Sequence, residues 1–278
     1  MQLGIFAKTF ETTGAEATLR AVAAAGFTTA QFNMACLGLP SMPDVIAPGD
    51  VAAVSAASRA TGIGIAAISG TYNMIHPDPA VRRTGMRRLE VLAAACPGIG
   101  TRLITLCTGT RDAEDQWRWH PENASTETWR DLMAEMAAAV DVAERYDVIL
   151  GVEPELANVI SSADRARRLL AELGSPRVRI VLDPANLFEI ADAQERRALV
   201  EGAINSLGAD IAMAHAKDRR ADGGVAAAGQ GVIDFRHFVA ALLAGGFDGP
   251  LVAHGLAAVE AAEVAAFLSE VLADAGAA

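Results

Sequence analysis

Aromatic residues make up only 5% of the 278-residue chain, with three tryptophans and two tyrosines, so its core has to be assembled from aliphatic side chains. Cysteine is scarcer still. Cys36, Cys96 and Cys107 are odd in number, widely spaced and form no CxxC pair; this excludes a disulfide framework and points to a reduced, cytoplasmic setting. No apolar run reaches the roughly 18 residues needed to span a bilayer. The N-terminal MQLGIFAKTF has no basic segment followed by a long apolar one, as a signal peptide would. Excess positive charge is missing too. A formal net charge of −11 and a pI near 4.9 argue against a grip on nucleic-acid phosphates and against anionic membranes. The segment GIFAKTFETTG after the first apolar run contains no GxGxxG, which counts against an open, dinucleotide-binding sheet.

What the chain does have is regular alternation. Short apolar runs near 2–6, 28–33, 63–69, 102–107, 148–153, 178–183, 210–215 and 250–254 read as strands, and amphipathic stretches lie between them. SADRARRLLAELG carries Ser and Asp at its start and Gly at its end, the pattern of a capped helix. Such βα alternation at about 30–40 residues per unit predicts a single (β/α)8 TIM barrel over 1–278, with its site at the C-terminal ends of the strands. A chain of this length buries most of its unfolded surface without a disulfide or structural metal. Two loops exceed the usual connection of about 2–6 residues. They are 108–126 after strand 4 and 216–234 after strand 7, both on the face where a barrel builds its site.

Four successive strands end in metal-ligating side chains. VILGVE ends in Glu153, VRIVLD in Asp183, IAMAH in His215 and PLVAH in His254. One such terminus is more often a solvated strand end than a ligand. Four in a row, one βα unit apart, converge on the barrel axis and make a set able to bind Mn²⁺, Co²⁺, Mg²⁺ or Zn²⁺.

The segments GVEPE, IVLDPANLF, HAKD, GQGVIDF and GFDGPLVAHG, over roughly 148–255, resemble the sugar phosphate isomerase/epimerase family of xylose isomerase-like TIM barrels. The first 100 residues match mainly in pattern. The resemblance implies one divalent metal held by Glu153, Asp183, His215 and the strand-8 residue. Many members carry a glutamate at that last position, where this chain has His254. In the family's epimerases two metal-bound glutamates on opposite faces of the substrate exchange protons with its carbon; here only Glu153 remains of that pair. Two carboxylates and two neutral imidazoles leave a dication formally neutral, a stronger Lewis acid than one with three carboxylates. This favours Mn²⁺, Co²⁺ or Zn²⁺ over Mg²⁺.

The expected chemistry is isomerisation or epimerisation of a sugar, keto-sugar or cyclitol, by proton abstraction next to a carbonyl through a metal-stabilised enediolate. Glu153 is the candidate base, with its pKa raised toward neutrality by burial. His254 is a candidate ligand or proton shuttle, and Lys217 a candidate oxyanion stabiliser. Asp218 is read as orienting a ligand histidine, as pairing with Arg219, or as part of a solvated ion pair. Candidate substrate contacts are Glu155, Asn186, Arg111, Trp117, Trp119 and His120, with Lys8 a weaker one at the same rim. GQG at 229–231 is a weak phosphate-loop candidate, so an unphosphorylated substrate is favoured. The alternatives are a metal-dependent lyase or hydrolase on a keto-sugar or glycoside, and a non-catalytic sugar-binding barrel. A DNA-repair nuclease would need more histidines and a basic groove. Partners are thus a small carbohydrate, no nucleic acid and no membrane, and the Ala-rich helices are compatible with a homo-oligomer.

Overall fold

A computed structural model of the protein describes residues 1–276. Its strands are β1 Gln2–Phe6, β2 Thr29–Phe32, β3 Gly64–Ser69, β4 Leu103–Cys107, β5 Ile149–Glu153, β6 Val178–Leu182, β7 Ile211–Arg219, β8 Val225–Ala227 and β9 Pro250–Ala253. All except β8 are parallel, in the order β6-β5-β4-β3-β2-β1-β9-β7, and the β6–β7 pairing closes the barrel. The helices α1 Ala15–Ala24, α2 Pro48–Thr61, α3 Pro79–Ile99, α4 Thr126–Tyr146, α5 Ala163–Leu173, α6 Ala193–Leu207, α7 Phe235–Ala244 and α8 Ala261–Asp274 alternate with the barrel strands. The eight expected strands are present with ends shifted by a residue or so, except that β7 runs on to Arg219. Among the described residues no helix is long and apolar enough to cross a membrane.

Local chemistry sets the helix ends. Ser162 Oγ accepts from Arg165 N to start α5, and Gly174, at φ 60°, ends it in the left-handed conformation that glycine tolerates best. The main core lies between the barrel and its helices and is aliphatic, as the shortage of aromatics requires.

A second, smaller core fills the barrel itself. Ala67, Leu103, Val181, Met213 and Val252, from five different strands, pack together there. Gly151 faces the same space: a Cβ on it would come within 2.9 Å of Val181 and 3.1 Å of Leu103. This plug determines what lies above it. Side chains alternate faces along a strand, so the next inward residue toward the C-terminal end is two positions on. That rule carries Gly151 to Glu153, Val181 to Asp183, Met213 to His215 and Val252 to His254. It also carries Leu103 to Thr105 and Ala67 to Ser69. An apolar floor under a polar layer follows directly from the strand period.

Candidate active site

Glu153, Asp183 and His215 form the centre of the polar layer, each 7% exposed or less. Each offers one ligand atom, and the three atoms lie within 4.8 Å of one another. His215 Nδ1 donates to Glu153 Oε1 at 3.0 Å, and Nε2 faces Gln31 Oε1 at 2.7 Å. Gln31 is turned by its own amide, whose Nε2 donates to Thr105 Oγ1 at 3.1 Å. Lys217, two residues beyond His215 on the extended β7, points inward as well. Its Nζ lies 3.0 Å from Asp183 Oδ2 and donates to Asn186 Oδ1 at 2.8 Å. Asn186 Nδ2 in turn donates to Glu153 Oε1 at 2.9 Å. Asp183 Oδ1 accepts from Ala185 N and caps the short helical turn that carries Asn186.

The charges sort themselves through these contacts. Burial disfavours the charged form of Glu153, but His215, by charge and hydrogen bond, and Lys217 overcome it and hold the carboxyl down at about 2. Burial alone would lower His215; the Glu153 and Asp183 carboxylates outweigh it and raise the imidazole above its ordinary value. Both ring nitrogens face oxygen acceptors, an arrangement that favours the protonated ring. Lys217 stays charged for the same reason, Asp183, Glu155 and Glu153 prevailing over burial. Burial pushes Asp183 upward, and Lys217 opposes this from 3.0 Å. The Glu153 and Asp183 carboxyl groups thus face the His215 imidazole and the Lys217 ammonium.

Glu155 behaves oppositely to Glu153. Burial first, then the Glu153 charge, push its carboxyl up to about 8. The expectation of a raised pKa at Glu153 is therefore corrected: the carboxylate beside two cations is held ionised, and the one beside another carboxylate takes the upward shift. Cys107, at the end of β4, joins Glu153 and Glu155 in a second group whose ligand atoms lie within 4.8 Å of one another. Burial and the two glutamates raise its thiol well above the ordinary range.

His254 does not join the three converging donors. Its ring stacks between Phe6 and His215, with centroids 5.1 Å from each. Burial, then the charges of His215 and Lys217, lower it to about 3. Its Nδ1 is buried without a hydrogen-bond partner.

Above this layer opens a cavity of about 410 Å³. Glu153, Glu155, His215 and His254 line one side, and Gln31, Asn33, Ser69, Thr71 and Thr105 the other, with Trp117 and Lys8 at the mouth. Other expected contacts lie elsewhere. Arg111 is engaged by Asp131, Thr128 Oγ1 and the Ile75 carbonyl, and braces the loop against α4. Trp119 is 59% exposed and does not line the cavity. His120 Nδ1 accepts from Glu122 N to start a short helical turn. Asn186 and Lys217 sit behind the carboxylates rather than in the cavity wall.

Asp218 fits none of its expected roles. Fully buried, it accepts backbone N–H groups from Arg219, Gly229, Gly231 and Ile233. Gly231 has to be glycine here, since a Cβ would fall 2.3 Å from the Asp218 carboxylate. The GQG loop is thereby tied down by a carboxylate of the chain itself.

Sequence reasoning missed Gln31, Thr105, Cys107 and Phe6. A polar amide within FTTAQF was the available signal for Gln31. The others follow only from the barrel register.

The residues fit a divalent cation. Two carboxylates and an imidazole converge above an apolar floor, and the buried, partnerless Nδ1 of His254 stands beside them. A closed parallel barrel with a carboxylate–imidazole centre at its C-terminal mouth defines a class of protein. The matching family model, the xylose isomerase-like TIM barrel, covers residues 19–270, and the chain belongs to that family. No curated protein matches the sequence. Among solved structures, the chain is similar to an L-ribulose 3-epimerase at 19% identity and TM-score 0.76, over 99% of this chain and 95% of that one. A 3-keto-D-glucoside 4-epimerase from E. coli matches at 18% and 0.76, over 97% and 99%. The IOLI protein, solved with a zinc atom, matches at 17% and 0.72, over 99% and 98%. At these identities the likeness establishes the fold.

Proposed function

We propose that the protein is a divalent-metal-dependent isomerase or epimerase acting on an unphosphorylated sugar, keto-sugar or cyclitol. The observation that carries this reading is the convergence of Glu153, Asp183 and His215, of which Glu153 and His215 line a polar cavity. These three would hold the cation, and the metal content of His254→Ala decides whether that imidazole adds a fourth donor. A cation bound there would polarise a substrate oxygen and stabilise negative charge next to the carbon that loses its proton. Mn²⁺, Co²⁺ and Zn²⁺ suit the mixed nitrogen and oxygen donors better than Mg²⁺.

The chain's own groups supply the rest. Glu153 and Glu155 both face the cavity from the end of β5 and are the carboxylates placed to take and return a carbon-bound proton. Gln31, Asn33, Ser69, Thr71 and Thr105 offer amides and hydroxyls to the hydroxyl groups of a neutral substrate. The stacked Phe6–His254 pair gives one wall an apolar face, and Trp117 shields the mouth. A phosphate group is disfavoured for two reasons. Lys8 is the sole lysine or arginine of the lining, and the Gly229 and Gly231 amides already donate to Asp218. Three buried, unpaired cysteines suit the reducing cytoplasm.

The test is incubation with Mn²⁺ or Co²⁺ and a panel of free ketoses in D₂O, read by NMR and mass spectrometry. Incorporation of one solvent deuteron at the reacting carbon, otherwise without mass change, and its loss in Glu153→Gln are the expected results. Expulsion of a leaving group would assign a lyase instead. Binding without exchange would assign a sugar-binding barrel.

A further inference from the structure

We infer that Lys217 is an internal cation that competes with the divalent metal for Asp183, so that the site's metal affinity is set by how readily the ammonium gives way. The inference rests on the metal reading above and adds to it a determinant outside the ligand set.

Three observations support it. The Lys217 ammonium lies 3.0 Å from Asp183 Oδ2, an oxygen of one of the three convergent donors. A dication seated among donors within 4.8 Å of one another would have this ammonium as a close neighbour. Like charges so placed, in a spot only 7% exposed, are poorly screened by water. Second, the ammonium is built in. Its partners are Asp183 and Asn186 Oδ1, and Asn186 is fixed by its own bond to Glu153. Third, the stem has little room. A Cβ at Gly255 would come within 3.0 Å of Lys217 Cγ and 3.1 Å of Cδ, so the aliphatic part passes tightly under that backbone. The ammonium can pivot away from Asp183 only by turning its end, and Glu155 and Glu153 are the other carboxylates in its electrostatic reach. Lys217 is thus a buried counter-cation held against Asp183 that opposes loading.

The experiment is isothermal titration of chelator-treated protein with Co²⁺ and Zn²⁺, comparing wild type with Lys217→Met, which keeps the stem and removes the charge. The expected result is at least tenfold tighter binding in Lys217→Met, about 1.4 kcal/mol. Thermal unfolding of the same samples gives a second readout. The metal-free variant is expected to melt lower than wild type, because a buried carboxylate has lost its partner. Added metal is expected to raise its midpoint more than that of wild type. Should Lys217→Met fail to fold, Lys217→Gln is expected to behave alike, since it retains a hydrogen-bonding end without charge. Equal or weaker binding in the folded variants would overturn the role of Lys217 and leave the metal site standing. Absence of binding in wild type and variants alike would overturn both.

Discussion

Asn186 ties the two halves of the buried charge cluster together, and its removal has a calculable cost. The side chain, 2% exposed, donates to Glu153 Oε1 at 2.9 Å and accepts from Lys217 Nζ at 2.8 Å. Hydrogen bonds to charged groups contribute about 1.5–3 kcal/mol each. Asn186→Ala removes two, while Glu153 keeps His215 and Lys217 keeps Asp183. The net loss is therefore expected near the lower end of the sum, about 3–4 kcal/mol, against a total stability of about 5–15 kcal/mol. Urea unfolding at pH 7, followed by circular dichroism and fluorescence together, should show the midpoint falling by about 1 M or more with little change in slope. A loss below about 1 kcal/mol would refute the reasoning. It would mean that water or a rotated Lys217 replaces the amide at no cost, and that the cluster is not the interlocked network its distances describe.

Further outcomes follow from other parts of the site. His254 is lowered to about 3 by burial and by the positive His215 and Lys217, with Glu153 pulling weakly the other way. A depressed histidine takes up its proton in the unfolded chain first, so stability is lost as pH falls from about 6.5 toward 3. At pH 5 the cost is at most about 2 kcal/mol. The pH 7 to pH 5 difference in urea midpoint of metal-free protein should shrink in His254→Gln, and an unchanged difference would contradict the shift. Asp218→Ala leaves four backbone N–H groups of the 219–233 segment without their acceptor. A loss of about 3 kcal/mol or more and rapid hydrogen exchange at Gly229, Gly231 and Ile233 are expected; protected amides there would show that the loop holds without the carboxylate. Trp117→Ala is expected to raise KM with little change in kcat, whereas Trp119→Ala should change neither, as steady-state kinetics on any accepted ketose would reveal.

The strand ends were legible because a barrel strand is short, apolar and terminated where its inward side chains leave the plug. Glu153, Asp183, His215 and His254 were visible as chemistry-bearing residues at that point in each run. The continuation of β7 through Lys217 was less plain, because the antiparallel partner β8 that extends it lies beyond a turn. Direction and distance were not legible at all. Nothing in the one-dimensional pattern tells that His254 stacks on His215 rather than joining the donors, or that Lys217 reaches Asp183. The sign of the Glu153 shift depended on those same contacts: burial was inferable, but two neighbouring cations were not. Arg111 and Trp119 show the converse. Both lie in a loop of the right face, yet one is drawn sideways by Asp131 and the other turns to solvent. A loop's position along the chain fixes its rim and not its inward side chains.

The most direct test of the metal centre is the metal content of the purified protein after incubation with Mn²⁺, Co²⁺ and Zn²⁺ and removal of excess, measured by inductively coupled plasma mass spectrometry beside Asp183→Ala and His254→Ala. About one transition-metal ion per chain in the wild type, lost in Asp183→Ala, is the expected result, and the His254→Ala value decides whether that imidazole is a ligand. No retained metal in the wild type would contradict the centre, leaving Glu153, Asp183, His215 and Lys217 as an internally paired cluster beside a polar cavity.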